Sequence, residues 1–249
     1  FVSGQLDLAK DTGAAIVFGP RATPRYFSMI ATDKEVFKLG NCKIEVLHTP
    51  GHTVESSCFL AYDDSGKPYA LFSGDTLFIG DVGRPDLLSG NLSAEELAFM
   101  LYDSIQTKIK TLPDDVIVYP GHGAGSACGK NLSKETVSTI GEQRKMNYAM
   151  NLNREDFVEA VTTDQPLAPT YFFKDAWINM HGSNNLEDVL KQSMIPLTGA
   201  EFKAGMAHEP VIIDTRPAAD FAKEFIKGSV NIGLDGQFAG WAGTLISFD

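Results

Sequence analysis

The sequence predicts an α/β layered domain followed by the opening part of a second, smaller α/β domain. Three observations carry that prediction. Between Ala14 and Gly121 short β-rich runs alternate with turn residues. From Ser93 onward apolar residues recur at helical spacing. After a passage rich in Pro and Asn the pattern restarts as helix, strand, helix. With 249 residues, 43% of them hydrophobic, the chain can bury a sizeable core as one large domain or as one domain plus part of another.

The runs AAIVFGP, VFKLGNCKIEVLHTPG, SSCFLAYDDSGKPYALFSGD and DDVIVYPG are the predicted strands. The DDSGK segment at 63–67 has hairpin-loop chemistry, so Cys58–Tyr62 should pair with Tyr69–Ser73. Ser93, followed by Glu95 and Glu96, opens an amphipathic helix through Leu97, Met100, Leu101 and Ile105. Two more helices are expected, from Lys134 to about Met150 and, behind an Asn153 cap, from Arg154 to about Thr162. Residues 163–185 follow neither period and read as a closing arm and linker. Then LEDVLKQ and LTGAEFKAG lead into the strand PVIIDTR and the helix AADFAKEFI, a parallel βα unit. The expected limits are 1–175 for the first domain, 176–193 for the linker and 194–249 for the second domain.

The net charge of -11 excludes broad binding to nucleic acid or anionic membranes, which needs a dense Lys/Arg surface. No apolar run approaches the roughly 18 residues of a membrane span. Three cysteines without a CxxC pair point to a reducing, cytoplasmic setting. FVSGQLDLAK resembles no signal peptide, and together with the apolar ending GTLISFD it reads as one of two cut ends.

The chemistry gathers at strand ends. VLHTPGH, residues 46–52, stops a strand at Pro-Gly and delivers His52; IVYPGHG, residues 117–123, repeats the device with His122. Between them LFSGDTLF, residues 71–78, breaks a strand at Gly74 and sets Asp75 at its end. Singly, a histidine in a glycine-rich turn is usually a surface or hydrogen-bonded residue, and Asp before Thr is usually a turn former. Jointly, two imidazoles and a carboxylate at one end of a sheet suit a first-row transition metal, zinc or iron.

TPGH at 49–52, SGDTLF at 73–78 and YPGH at 119–122 resemble the later metal-binding motifs of the metallo-β-lactamase fold, and the resemblance covers about residues 1–175. GDVGRPDLLSG at 80–90, with its leading glycine, and TVSTIGEQRKMN at 136–147 are most similar to persulfide dioxygenases. PVIIDTRPAADFAKEFIKGSVNI resembles the first half of a rhodanese domain. These resemblances imply an αββα sandwich lacking its N-terminal part, followed by the first portion of a rhodanese-like domain.

The same resemblance implies one Fe(II) per site, with zinc as the alternative, held by two histidines and one aspartate. His52 and Asp75 match two ligands; the remaining histidine belongs to a His-x-His-x-Asp motif that would precede Phe1. His122 matches the second-metal ligand of binuclear relatives, or a pocket residue of mononuclear ones. The implied reaction turns a low-molecular-weight thiol persulfide, of glutathione or coenzyme A type, and O2 into sulfite and free thiol. The alternatives are a glyoxalase-II-like binuclear thioester hydrolase and a non-catalytic sulfur-carrier binding protein. Arg84, Arg144 and Lys130 are candidate contacts to substrate carboxylates or phosphates, with structural ion pairs as the competing reading. Cys128, in GAGSACGK, reads as a small packed residue rather than a thiol carrier, while Cys42 and Cys58 read as core. His48, His181 and His208 are not expected to ligate. The persulfide-carrying cysteine of rhodanese domains would fall after the last residue here, and a homo-oligomer stays open.

Overall fold

Gly40 and Gly66, both in the left-handed region, sit where the chain folds back between antiparallel strands. The structure is a computed structural model that describes residues 2–87 and 91–247. Contacts divide the chain into two units, Ala15–Ala168 and Phe1–Ala14 with Pro169–Asp249. Helix α1 (Gln5–Thr12) falls in the second of these.

The first unit begins with a two-residue parallel pair, β1 (Val17–Phe18) and β2 (Met29–Ile30). A six-stranded sheet follows. β3 (Val36–Leu39) and β4 (Cys42–His48) are joined through Gly40, whose φ of 60° lies in the left-handed region. β5 (Ser57–Tyr62) and β6 (Pro68–Gly74) form the expected hairpin, with Phe59 opposite Phe72 and Leu60 opposite Leu71. In its loop Asp63 Oδ1 accepts the Ser65 and Lys67 N–H groups, each at 2.9 Å.

The order is β3-β4-β5-β6-β7-β8, where β7 is Ile117–Pro120 and β8 is Ser138–Thr139. All neighbours are antiparallel except β6 and β7, which run parallel. Parallel neighbours need a long crossover, and it contains α2 (Ala94–Ser104). The predicted start of this helix is a capping box: the Ser93 hydroxyl accepts the Glu96 N–H and the Glu96 carboxylate accepts the Ser93 N–H. A π-helical turn, Ile105–Ile109, extends it.

The helix expected from Lys134 begins later, as α3 (Ile140–Met146). Ser138 and Thr139 are drawn instead into the sheet opposite Val118 and Ile117, and the Thr139 side chain caps the helix. Asn147 is extended, at φ -83° and ψ 115°, and separates α3 from α4 (Tyr148–Asn151). α5 (Arg154–Thr162) starts behind the predicted Asn153 cap, which accepts the Asp156 N–H at 2.9 Å. Cys58, Leu60, Leu71 and Val118 of the sheet pack in one core with Leu101, Ile105, Met150 and Phe157 of the helices. Alternate strand positions supply the sheet side of this core, and each such large apolar side chain contributes about 1.5–3 kcal/mol on burial.

In the second unit the segment read as a linker is largely helical. α6 (Phe172–His181) ends at Gly182, and α7 (Leu186–Ser193) starts behind Asn185. The aromatic-rich residues of α6 support each other at helical spacing, with Trp177 and His181 stacked at 4.1 Å, a pairing their i,i+4 separation allows. α8 (Gly199–Gly205) opens with a Thr198–Glu201 capping box. The expected βα unit is present but short: β9 (Ile213–Asp214), α9 (Ala218–Phe221) and β10 (Val230–Asn231), which pairs parallel to β9, then α10 (Phe238–Leu245). No helix among the described residues is long and apolar enough to cross a membrane.

Candidate metal centre

Strand direction explains why three sequence-distant residues meet. β4 and β6 run the same way, since each is antiparallel to β5, and β7 is parallel to β6. Their C-terminal ends therefore share one edge of the sheet, and those ends precede His52, Asp75 and His122.

Each turn is built for close approach. Gly51 has φ 147° and sits against the backbone of Leu101, while the Pro50 carbonyl accepts the Ser104 hydroxyl at 2.8 Å. Gly74 ends β6 at φ 52°. Gly121 does not occupy positive φ; it is required by proximity, because a Cβ there would meet Asp75 Oδ1 and the Gly74 carbonyl carbon. Its N–H donates to the Gly74 carbonyl at 2.8 Å, tying the β6 and β7 ends together.

Asp75 Oδ2 lies 3.3 Å from His52 Nε2 and 3.4 Å from His122 Nε2. His52 is nearly buried at 7% exposure, and its Nδ1–H donates to the Arg84 carbonyl at 2.8 Å. A carbonyl only accepts, so this bond keeps a proton on Nδ1 and turns Nε2 toward Asp75. Burial alone would raise the Asp75 carboxyl, yet the hydrogen bond from His122 and the charges of both histidines hold it below the usual carboxylate range. The hydrogen bond to Asp75, assisted by one to Cys128 and opposed by burial, pushes His122 up to about 10.

The structure adds a residue that the sequence reading assigned to packing. His52, Asp75 and Cys128 offer donor atoms that all lie within 4.8 Å of one another. Cys128 is 8% exposed, and its loop is held by the Arg84 N–H, which donates to the Cys128 carbonyl at 2.9 Å. His122 joins this set through Asp75. Imidazole, carboxylate and thiol donors gathered this closely fit a divalent first-row metal ion.

The three expected substrate cations are engaged within the protein. Arg84 is 2% exposed and forks onto Asp86, with Nε and Nη2 at 2.7 and 2.6 Å, while its Nη1 is buried without a hydrogen-bond partner. Arg144 donates to the Lys110 and Leu112 carbonyls and to Asp114. The Lys130 ammonium donates to the Thr163 carbonyl at 2.7 Å. Sequence displays a charge but not its partner, and here the partners are local loops and helix ends. His48 Nε2 lies 3.0 Å from the Val54 carbonyl and takes no part in the cluster. Residues 88–90 of the GDVGRPDLLSG motif lie outside the described residues.

The model of the rhodanese-like domain matches residues 198–247. A probable hydroxyacylglutathione hydrolase of Schizosaccharomyces pombe is 34% identical over 184 residues, covering 66% of this chain and 68% of the relative. The mitochondrial persulfide dioxygenase ETHE1 of Homo sapiens is 34% identical over 127 residues, 51% of this chain and 43% of the relative. A crystal structure of a metallo-β-lactamase from Staphylococcus aureus subsp. aureus COL superposes with a TM-score of 0.84 at 32% identity, over 99% of this chain and 72% of that one. The chain spans about half the length of the curated relatives it matches.

Proposed function

Since the chain belongs to the metallo-β-lactamase family, we propose that it acts as an iron-dependent persulfide dioxygenase, converting a thiol persulfide, O2 and water to the free thiol and sulfite. The observation that carries this reading is the pairing on one chain of the His52–Asp75 centre with a rhodanese-like segment at 198–247, a module type that handles sulfane sulfur. The similarity to ETHE1 supports it.

In this reading His52 and Asp75 would hold one Fe(II). Bound Fe(II) supplies the redox chemistry through which dioxygen and a closed-shell persulfide react. The protein's own contribution is orientation and exclusion of water. The Arg84 carbonyl holds the His52 ring through Nδ1, so Nε2 is turned toward the centre. His122, with its side chain 32% exposed, holds a proton on Nε2 beside Asp75 at the open side of the cluster. The Cys128 thiol lies within reach of a sulfur substrate at the same centre. The substrate is a low-molecular-weight persulfide of glutathione or coenzyme A type, and the three free cysteines suit a reducing compartment such as the cytoplasm.

One observation favours a second reading. Asp75 Oδ2 is nearly equidistant from His52 and His122, so the three residues together would hold the metals of a binuclear centre. With the hydroxyacylglutathione hydrolase relatives, it supports a binuclear thioester hydrolase in which His122 is a ligand. Elemental analysis combined with product assay separates the two. Close to one iron per chain and sulfite from glutathione persulfide are expected. Two zinc ions per chain with thioester cleavage and no sulfite would overturn the dioxygenase reading.

A further inference from the structure

Asp81 is not one of the clustered donors, yet two segments that shape the cluster both hang on it. Its side chain is buried, at 1% exposure. Oδ2 accepts the N–H groups of Lys130 and Asn131 at 2.8 and 2.7 Å. Oδ1 accepts the Tyr148 hydroxyl and the Val82 N–H, both at 2.8 Å. The Asp81 carbonyl accepts the Phe78 N–H and the Asn147 side-chain amide, both at 3.0 Å.

The two segments are 81–84 and 128–131. The first carries the Arg84 carbonyl that receives His52 Nδ1–H, and Gly83 packs so closely that a Cβ would lie 2.9 Å from His52 Nδ1. The second carries the Cys128 thiol, and the Arg84 N–H bonds the Cys128 carbonyl at 2.9 Å. One carboxylate thus clamps both sides of a loop pair that faces His52 and Asp75.

We propose that Asp81 is a positioning residue that sets the His52 ring and the Cys128 thiol at the metal centre together, so that metal affinity and thiol accessibility depend on it jointly. The requirement is for a carboxylate. Both oxygens receive donors, so an asparagine, though the same shape, must turn its NH2 toward either the Lys130 and Asn131 N–H groups or the Val82 N–H. The inference rests on the metal-centre reading of His52 and Asp75.

The test uses the full chain, with Asp81→Asn, the milder Tyr148→Phe, and Val116→Ala as a control that removes core packing but no hydrogen bond of Asp81. Two quantities are read: Co(II) affinity by visible absorption, and the rate at which iodoacetamide alkylates Cys128 without metal, located by peptide mass spectrometry. Asp81→Asn is expected to weaken Co(II) binding roughly 10- to 100-fold and to speed Cys128 alkylation about tenfold through local opening. Tyr148→Phe should move both in the same direction by less, and Val116→Ala should change neither by more than about twofold. Asp81 is a stabilising group only, and the proposal fails, if Asp81→Asn shifts the two readouts no more than Val116→Ala does. It fails equally if Cys128 opens while Co(II) affinity holds. Should Asp81→Asn not fold, Tyr148→Phe decides by the same criteria. A parent chain that binds no Co(II) removes the metal reading and this inference with it, whereas binding that Asp81→Asn leaves intact removes this inference alone.

Discussion

His52 illustrates how much of the candidate site is set by the backbone around it. One nitrogen is committed to the Arg84 carbonyl and the other faces Asp75. Gly121→Ala should therefore damage the centre without altering any donor, since its Cβ would press on Asp75. Core overpacking of this kind costs about 1–3 kcal/mol, and Co(II) affinity should fall with it; unchanged affinity would show that Asp75 has room to yield. The cysteines differ in the same local way. Burial pushes the Cys58 thiol up to about 11, against weaker opposing hydrogen bonds from Thr49 and Thr76, while Cys42 is exposed. At pH 8 native protein should be alkylated at Cys42, with Cys58 reacting only on unfolding, and equal rates would contradict the packing described. His52, Asp75 and His122 were legible because a strand that stops at glycine leaves a readable mark. Cys128 was not, because the loop carrying it has no period and its contact to Asp75 spans more than fifty residues.

Elements that announce themselves chemically were also legible. The Ser93–Glu96 capping box forms as the sequence indicates, and Ser93→Ala should lower stability by about 1 kcal/mol in denaturant unfolding. A loss of nothing would mean that the start of α2 is held by packing alone. The β4–β5 pair carries a pH signature. Burial, then the hydrogen bond and charge of Glu45, push the Tyr62 phenol up to about 12. A raised phenol favours folding below its ordinary value near 10, and that contribution is lost as pH rises from about 10 to about 12. Glu45→Gln should move Tyr62 ionisation, followed by phenolate absorbance, back toward 10; an unmoved titration would exclude Glu45 as a cause. The late start of α3 was hidden in the sequence because Ser138 and Thr139 choose β7 as partner, and a partner distant in sequence leaves no periodicity.

At the scale of the whole molecule the core is unevenly shared. The main cluster lies wholly within 15–168, whereas Ile232 is the one buried apolar side chain among the described residues of 169–247. Residues 15–168 expressed alone should unfold cooperatively, and residues 169–249 alone should show little cooperative unfolding by circular dichroism. The reverse result would misplace the stability of the chain. The Pro- and Asn-rich break near 163–185 signalled two parts, but the grouping of α1 with the later one could not be read from sequence. It depends on contacts such as Asn185 to Asp7, 178 residues apart, at 2.7 Å.

The most direct measurement is oxygen uptake by the anaerobically Fe(II)-loaded protein given glutathione persulfide, with His52→Ala alongside. Uptake accompanied by sulfite in the parent and abolished in the variant is the predicted result. Iron bound with no uptake, or uptake that survives His52→Ala, would contradict the assignment of the strand-end cluster as a persulfide-oxidising centre.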